Sequence, residues 1–320
     1  MRAAVCPRYG PPDVVEVEEV ARAEPADDEV LVRADVATVE IADARVRALR
    51  VPRGFGPLVR LQFGVTKPRQ PILGLVVAGR VEAVGGAVTG VRPGDLVVGT
   101  RGFSYGCHAE YVAVPEGNIA AIPDELTERD AAALCFGGAT AVHFLRKGRL
   151  AAGEHILVNG ASGSVGTMAV QIAKDIGAEV TAVCSGGNAD LVRRLGADHV
   201  VDHTREDFQR DGRRYDVIMD NHGNATYRRV RGSLAPDGRV LMVVGGLGSM
   251  VAGAVQKRVV GGSAPLNGDV FREVVDLGRR RVLEPVVDTV LPLDEIVAAH
   301  RRVDSGHKVG SVVLTFDDSR

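Results

Sequence analysis

The chain has 320 residues, 45% of them hydrophobic and 25% charged, and carries a formal net charge of −2. That length allows one or two domains with a substantial core, and the composition is that of an ordinary globular protein. The near-neutral charge gives no electrostatic case for nucleic acid or anionic membrane, and the lack of tryptophan removes a base-stacking platform.

Four cysteines, Cys6, Cys107, Cys135 and Cys184, are scattered without C-x-x-C pairing. They predict a reduced, cytoplasmic protein with neither a disulfide framework nor structural zinc. The first residues, MRAAVCPRYGPPD, contain no apolar core of a secretory signal. The longest uncharged run, 240–256, is broken by glycines and is too short to span a bilayer. It reads as a buried strand running into a flexible loop.

Residues 1–120 are rich in valine, glycine and proline, with short apolar runs at 14–17, 30–36, 73–77, 81–84, 96–98 and 111–114. Turn signals at Gly10-Pro11-Pro12, Gly85-Gly86 and Pro93-Gly94-Asp95 separate them, which predicts a mainly antiparallel β domain. From about 120 the pattern changes to alternating strands and helices, the mark of a parallel sheet. A helix is expected over 128–149, a strand over 155–158, then a helix and a strand over 180–184. Further on come a helix at 189–195, strands at 199–202 and 216–220, a helix around 225–234 and a strand at 239–244. The last zone predicts a helix at 270–281, a strand near 286–290, a helix at 293–304 and a strand at 309–316, ending in a frayed DDSR tail.

The most telling stretch is 155–185. An apolar strand breaks into Gly160-Ala161-Ser162-Gly163-Ser164-Val165-Gly166, followed by a helical face of Val165, Met168, Ala169, Ile172 and Ala173. Glycines in a strand–turn–helix context allow a tight turn, close approach of backbone N–H groups to a pyrophosphate, and close helix–strand packing. The helix N-terminus adds unpaired donors for the anion. The reading is dinucleotide binding, against a purely structural turn. The cofactor-contacting candidates are Gly160, Ser162, Gly163, Ser164, Val165 and Gly166.

Read together and in order, several segments are similar to one family. They are YGPPDVVEVEEV at 9–20, PILGLVVAGRVEAVGGAVTGVRPGDLVVG at 71–99, FGGATAVHFL at 136–145, NGASGSVGTMAVQIAK at 159–174, RRLGADHVVDHT at 193–204 and GHKVGSVVLTF at 306–316. The chain resembles a zinc-independent medium-chain dehydrogenase/reductase of the quinone oxidoreductase (zeta-crystallin-like) group. The resemblance implies an α/β fold: a Rossmann doubly wound parallel sheet at 121–282, plus a GroES-like mainly β domain at 1–120 completed by 283–320. It also implies a homodimer, and a cleft between the domains where cofactor and substrate meet. Thr140, Gly223, Val244 and Gly245 join the cofactor candidates on the same ground.

Zinc-dependent relatives carry a His-Glu pair where this chain has Leu75-Val76, so no metal ligands are expected. The second strand of the dinucleotide unit ends in Cys184-Ser185 rather than a carboxylate. Ser185 and Asn188 can hydrogen-bond a 2′-phosphate, and Arg193 or Arg194 can add charge, so NADP(H) is the expected cofactor. Relatives usually place Lys or Arg in that loop, where this chain has glycine.

At the reacting centre an Asn-x-x-Asp pattern of relatives reads Glu40-Ile41-Ala42-Asp43. Glu40 is a candidate proton donor; its alternative is a solvated glutamate, or one paired with Arg45 or Arg47. Asp43 reads as a helix cap or ion-pair partner. His222 is a second candidate, for proton relay or as an ordinary loop histidine. Thr140 faces the same choice between cofactor contact and structural cap. Val76 and Ser311 also depart from the Asp and Lys usual in relatives. Cys135 is expected to be a buried small hydrophobe, and the arginines at 228–231 and 279–281 solvated helix faces. The leading expectation is hydride transfer from NADPH to a quinone or an α,β-unsaturated carbonyl. A biosynthetic enoyl reductase and a non-catalytic NADPH-binding protein are the alternatives.

Overall fold

The fold is described from a computed structural model covering residues 1–50, 60, 63–244 and 257–316. A short antiparallel ribbon joins β1 (Arg2–Val5) to β2 (Glu16–Glu19). An eleven-residue strand, β3 (Glu29–Val39), leads straight into helix α1 (Ile41–Arg47). Strands β4 (Val77–Val84), β5 (Leu96–Gly99), β6 (Tyr111–Pro115) and β7 (Ile119–Ala121) follow. All of their pairings, among themselves and with β3, are antiparallel. The predicted runs at 73–77 and 81–84 resolve into one strand. Gly74 takes φ +95° and its N–H is spent on the Asp43 side chain, so pairing begins only at Val77. The run at 14–17 likewise splits between a 3-10 turn and β2, because Pro11 and Pro12 set a turn entry.

Helix α2 (Glu128–Lys147) enters the second domain. Thr127 caps it: its hydroxyl accepts from the Asp130 N–H, and the Asp130 carboxylate accepts from the Thr127 N–H. Replacing Thr127 by alanine removes this cap and is expected to cost about 1 kcal/mol of stability, read as a lower denaturation midpoint.

Next come β8 (His155–Asn159), α3 (Ser164–Ile176) and β9 (Glu179–Cys184). They are followed by α4 (Ala189–Arg194), β10 (His199–Asp202), β11 (Tyr215–Asp220), α5 (Tyr227–Val230), β12 (Leu234–Met242) and β13 (Val259–Gly261). The sheet order is β10-β9-β8-β11-β12-β13, every pairing parallel. Chain order reverses beside β8, so a crevice opens at the carboxyl ends of β8 and β11. Ile156, Leu157 and Val158 are fully buried, as a strand covered on both faces requires. The helix expected over 225–234 is cut to one turn plus a 3-10 segment, because Leu234 already pairs with Tyr215 as strand. Val259–Gly261 was not expected as a strand.

Helix α6 (Gly268–Arg279) packs on α2 and carries the chain back to the first domain. There β14 (Val287–Pro292), helix α7 (Ile296–Asp304) and β15 (Ser311–Thr315) complete the first sheet, with β15 antiparallel to β3. Residues 317–320, 246–256 and Gly245 lie outside the described residues. Among the described residues, no helix is long and apolar enough to cross a membrane.

Candidate active site

Three remote segments meet because of strand pairing. Val39, the last residue of β3, is opposite Val312 of β15. Just upstream, Gly310 bridges to Gly163, and its N–H donates to the Ser162 carbonyl at 2.9 Å. The start of α1, the segment before β15 and the N-terminus of α3 therefore converge at one point.

Glu40 sits there, fully buried, as the residue that caps α1. Its Oε2 accepts from the Ser164 hydroxyl at 2.6 Å and from the Lys308 ammonium at 3.0 Å. Lys308 also donates to Ser164 Oγ and to the Gly310 carbonyl. Glu40 Oε1 is buried and takes no hydrogen bond from the protein. Glu40 is thus neither solvated nor paired with Arg45 or Arg47; its partner is Lys308. That residue escaped sequence reasoning, which looked for a lysine at position 311. Ser311 is buried with its hydroxyl donating to the Ala133 carbonyl.

Asp43 is a cap, as expected. One carboxylate oxygen accepts from the Glu40 N–H at 2.7 Å and the other from the Gly74 N–H at 3.0 Å. Complete burial pushes its carboxyl up to about 7, against the pull of those two donors. Beyond Gly74 opens a cavity of about 350 Å³, lined by Val46, Phe63, Arg69, Leu73, Phe103 and Tyr105 among others. Val46 comes from α1, Phe63 and Arg69 from the segment after it, Phe103 and Tyr105 from the turn after β5, and Leu73 from the run before β4. Tyr105 is buried at φ +56°, a conformation costly for a residue with a Cβ. The Phe63 ring meets it edge-on at 5.8 Å. The sequence carried no signal for that strain.

The glycine turn has the geometry a dinucleotide needs. Gly160 takes φ +77°, and a Cβ on Gly166 would lie 2.1 Å from the Gly160 carbonyl oxygen, so helix and turn touch through backbone. Gly163 caps α3 without a side-chain bond, leaving first-turn N–H groups free of side-chain acceptors. Val165 stands in that first turn, half-buried. Asn188 donates to Ser162 Oγ at 3.1 Å and to Ser185 Oγ at 3.2 Å, so these three candidates converge. Gly223, at φ +92°, lies against Val244, the two closing the opposite wall.

His222 is exposed, and its N–H donates to the buried Asp220 carboxylate at 3.1 Å. Its Cβ lies near Gly160 rather than near Glu40. Thr140 is no cap: it lies mid-helix in α2 and donates to the Phe136 carbonyl at 2.9 Å. Arg193 and Arg194 both face carboxylates, Asp190 at 3.0 Å and Glu284 at 4.0 Å. Arg228, Arg229 and Arg279–Arg281 are exposed, and all four cysteines are buried and free.

Comparison with known proteins agrees with this architecture. Residues 26–124 match the alcohol dehydrogenase GroES-like domain, and residues 195–314 match the zinc-binding dehydrogenase domain. Leu75 and Val76, where the resemblance places the His-Glu pair of zinc-dependent relatives, are apolar and buried and offer no ligand atom to a metal. A 2-methylene-furan-3-one reductase of Solanum lycopersicum is 30% identical over 96% of this chain and 76% of its own. A chloroplastic quinone-oxidoreductase homolog of Spinacia oleracea is 30% identical over 95% of both. A chloroplastic NADPH-dependent alkenal/one oxidoreductase of Arabidopsis thaliana is 30% identical over 98% of this chain and 79% of its own. Among solved structures, the quinone oxidoreductase of Coxiella burnetii superimposes with a TM-score of 0.89, at 26% identity over 99% of both chains. A mycobacterial protein complexed with NADPH gives 0.82, at 26% identity over 99% of this chain and 100% of its own.

Proposed function

Because the chain belongs to the medium-chain dehydrogenase/reductase superfamily, in its quinone oxidoreductase group, we propose that this oxidoreductase reduces a quinone or an α,β-unsaturated carbonyl with NADPH and without metal. The single observation that carries this reading is the junction of Glu40, Ser164 and Lys308 at the N-terminus of the glycine-turn helix. NADPH, when bound, supplies the hydride. The turn 160–166 and the α3 N-terminus would hold its pyrophosphate, while Ser185 and Asn188 would meet the adenosine ribose.

Hydride arrival at carbon leaves an enolate or quinol oxyanion that must take up a proton. Both donors to Glu40 occupy Oε2, so a transferable proton would stand on Oε1, the oxygen without a partner. The cavity, lined by the rings of Phe63, Phe103 and Tyr105 together with the polar Arg69, Gln70 and Ser104, suits a flat conjugated acceptor that carries an oxygen. Relatives bearing the names of furanone, alkenal/one and quinone reductases favour the same acceptor class. Four free buried cysteines suit a reducing compartment such as the cytoplasm. A homodimer, carried over from the family, is tested by the solution mass.

The test is NADPH oxidation by the purified protein against matched panels of quinones and enones. Turnover with at least one panel is expected. NADPH binding without oxidation across both would overturn the catalytic reading in favour of a cofactor-binding protein.

A further inference from the structure

A carboxylate missing from the end of β9 is supplied by its neighbour. β9 and β10 run parallel with Cys184 opposite Asp202, so the two strand ends lie side by side. The His203 N–H donates to the Cys184 carbonyl and locks that register. Asp202 is oriented by Thr204, whose N–H and hydroxyl donate to Oδ1 at 3.0 and 2.7 Å. Its other oxygen, Oδ2, leans over the loop that follows Ser185: a Cβ on Gly186 would come within 2.5 Å of it. Glycine at 186 is thus what lets Asp202 reach over this loop.

The charges nearby are already matched. Arg193 pairs with Asp190 at 3.0 Å, and Arg205 faces Asp202 at 3.7 Å. The uncharged donors beside them, Ser185 and Asn188, suit a hydroxyl as well as a phosphate. A ribose 2′-hydroxyl can donate to a carboxylate. A 2′-phosphate cannot, and it would bring like charge beside one.

We propose that Asp202 is the residue that sets the choice between NADH and NADPH, admitting NADH and holding back the preference for NADPH. This rests on the proposed placement of the ribose beside Ser185. The carboxylate acts in two ways of the same sign. It repels the phosphate, and it occupies Arg205, the cation that would otherwise turn to the phosphate.

The test reads binding rather than turnover. The fluorescence of the reduced nicotinamide, excited directly in its own absorption band, reports cofactor binding. Dissociation constants for NADH and NADPH would be measured on the full-length wild type and on Asp202→Asn. The asparagine keeps a carbonyl oxygen for Thr204 and loses the charge. The NADPH:NADH affinity ratio is expected to rise about tenfold, the weight of one like-charge contact near a surface. Asp202→Ser should shift it the same way, and Asp202→Glu, which keeps the charge, should not. The ratio is its own control, because a damaged fold weakens both cofactors together. A ratio that stays within twofold in both neutral variants, or moves toward NADH, overturns the assignment. If neither cofactor binds the wild type, the proposed function fails with it.

Discussion

Glu40→Gln is expected to lower the turnover number about a hundredfold, within the range for loss of a general acid. The amide can keep the two hydrogen bonds made at Oε2, since its carbonyl oxygen still accepts from Ser164 and Lys308. The proton-bearing function at the bare Oε1 position is what it cannot reproduce. Unchanged turnover would remove Glu40 from the chemistry and leave solvent as the proton source. Lys308→Met probes the same junction from the other side and reads out in stability. Glu40 is fully buried, and Lys308 is its ion-pair partner at 3.0 Å. Removing the lysine leaves a buried carboxylate with the Ser164 hydroxyl as its remaining side-chain donor, which costs about 3 kcal/mol when the partner charge is lost. The double variant Glu40→Gln/Lys308→Met is then expected to be more stable than Lys308→Met alone, because the stranded charge is gone. Simple additivity of the two denaturation midpoints would show that the pair is not coupled.

The parts of this site that were legible in the sequence are those whose partners lie close along the chain. The turn 160–166 was readable because strand, glycines and helix follow one another within a single unit, and Gly160 and Gly166 each have a local steric reason. Asp43 was readable as a cap because it stands three residues into α1. Lys308 was not, because it is 268 positions from Glu40 and reaches it only through the β3–β15 pairing. Asp202 was hidden for the same reason: no carboxylate follows β9 directly, and only strand adjacency delivers one from β10. The failed strand at 73–77 is a different case. Its residues are apolar and fully buried, so hydrophobicity was read correctly, but Gly74 turns its backbone toward Asp43 and away from a neighbouring strand. Tyr105 shows the limit of pattern reading, since a tyrosine at positive φ contradicts its own local preference and is held there by what surrounds it.

A buried polar cluster where α7 packs against α1 should govern acid stability. His300 of α7 is fully buried, and neither ring nitrogen has a protein partner. His108 meets it edge-on at 6.2 Å, and Arg47, also fully buried, donates to Asp304 and to the Gly10 carbonyl. Burial drives the His300 imidazole well below its ordinary range, with His108 and Arg47 adding to the effect. Burial also pushes His108 down to about 4, against the Thr38 carbonyl that favours its charged form. Both rings are therefore neutral in the native state while the unfolded chain protonates them near 6.5. Between those values the unfolded state binds more protons, so their contribution to stability is present above about 6.5 and is lost as pH falls toward 4. Asp43 works in the opposite direction: its raised carboxyl favours the native state at low pH, and that contribution is lost as pH rises through about 7. Comparing wild type with His300→Phe cancels the Asp43 contribution. At pH 8 the phenylalanine variant is expected to be more stable by about 1 kcal/mol, because two unsatisfied buried nitrogens are replaced by apolar edge. Below pH 6.5 the gap should widen, by at most about 1.4 kcal/mol per pH unit, as the wild type carries one more buried imidazole than the variant, His108 being common to both. A variant less stable at pH 8, with a gap that does not depend on pH, would mean that ordered water satisfies His300 and that the cluster is a hydrated core.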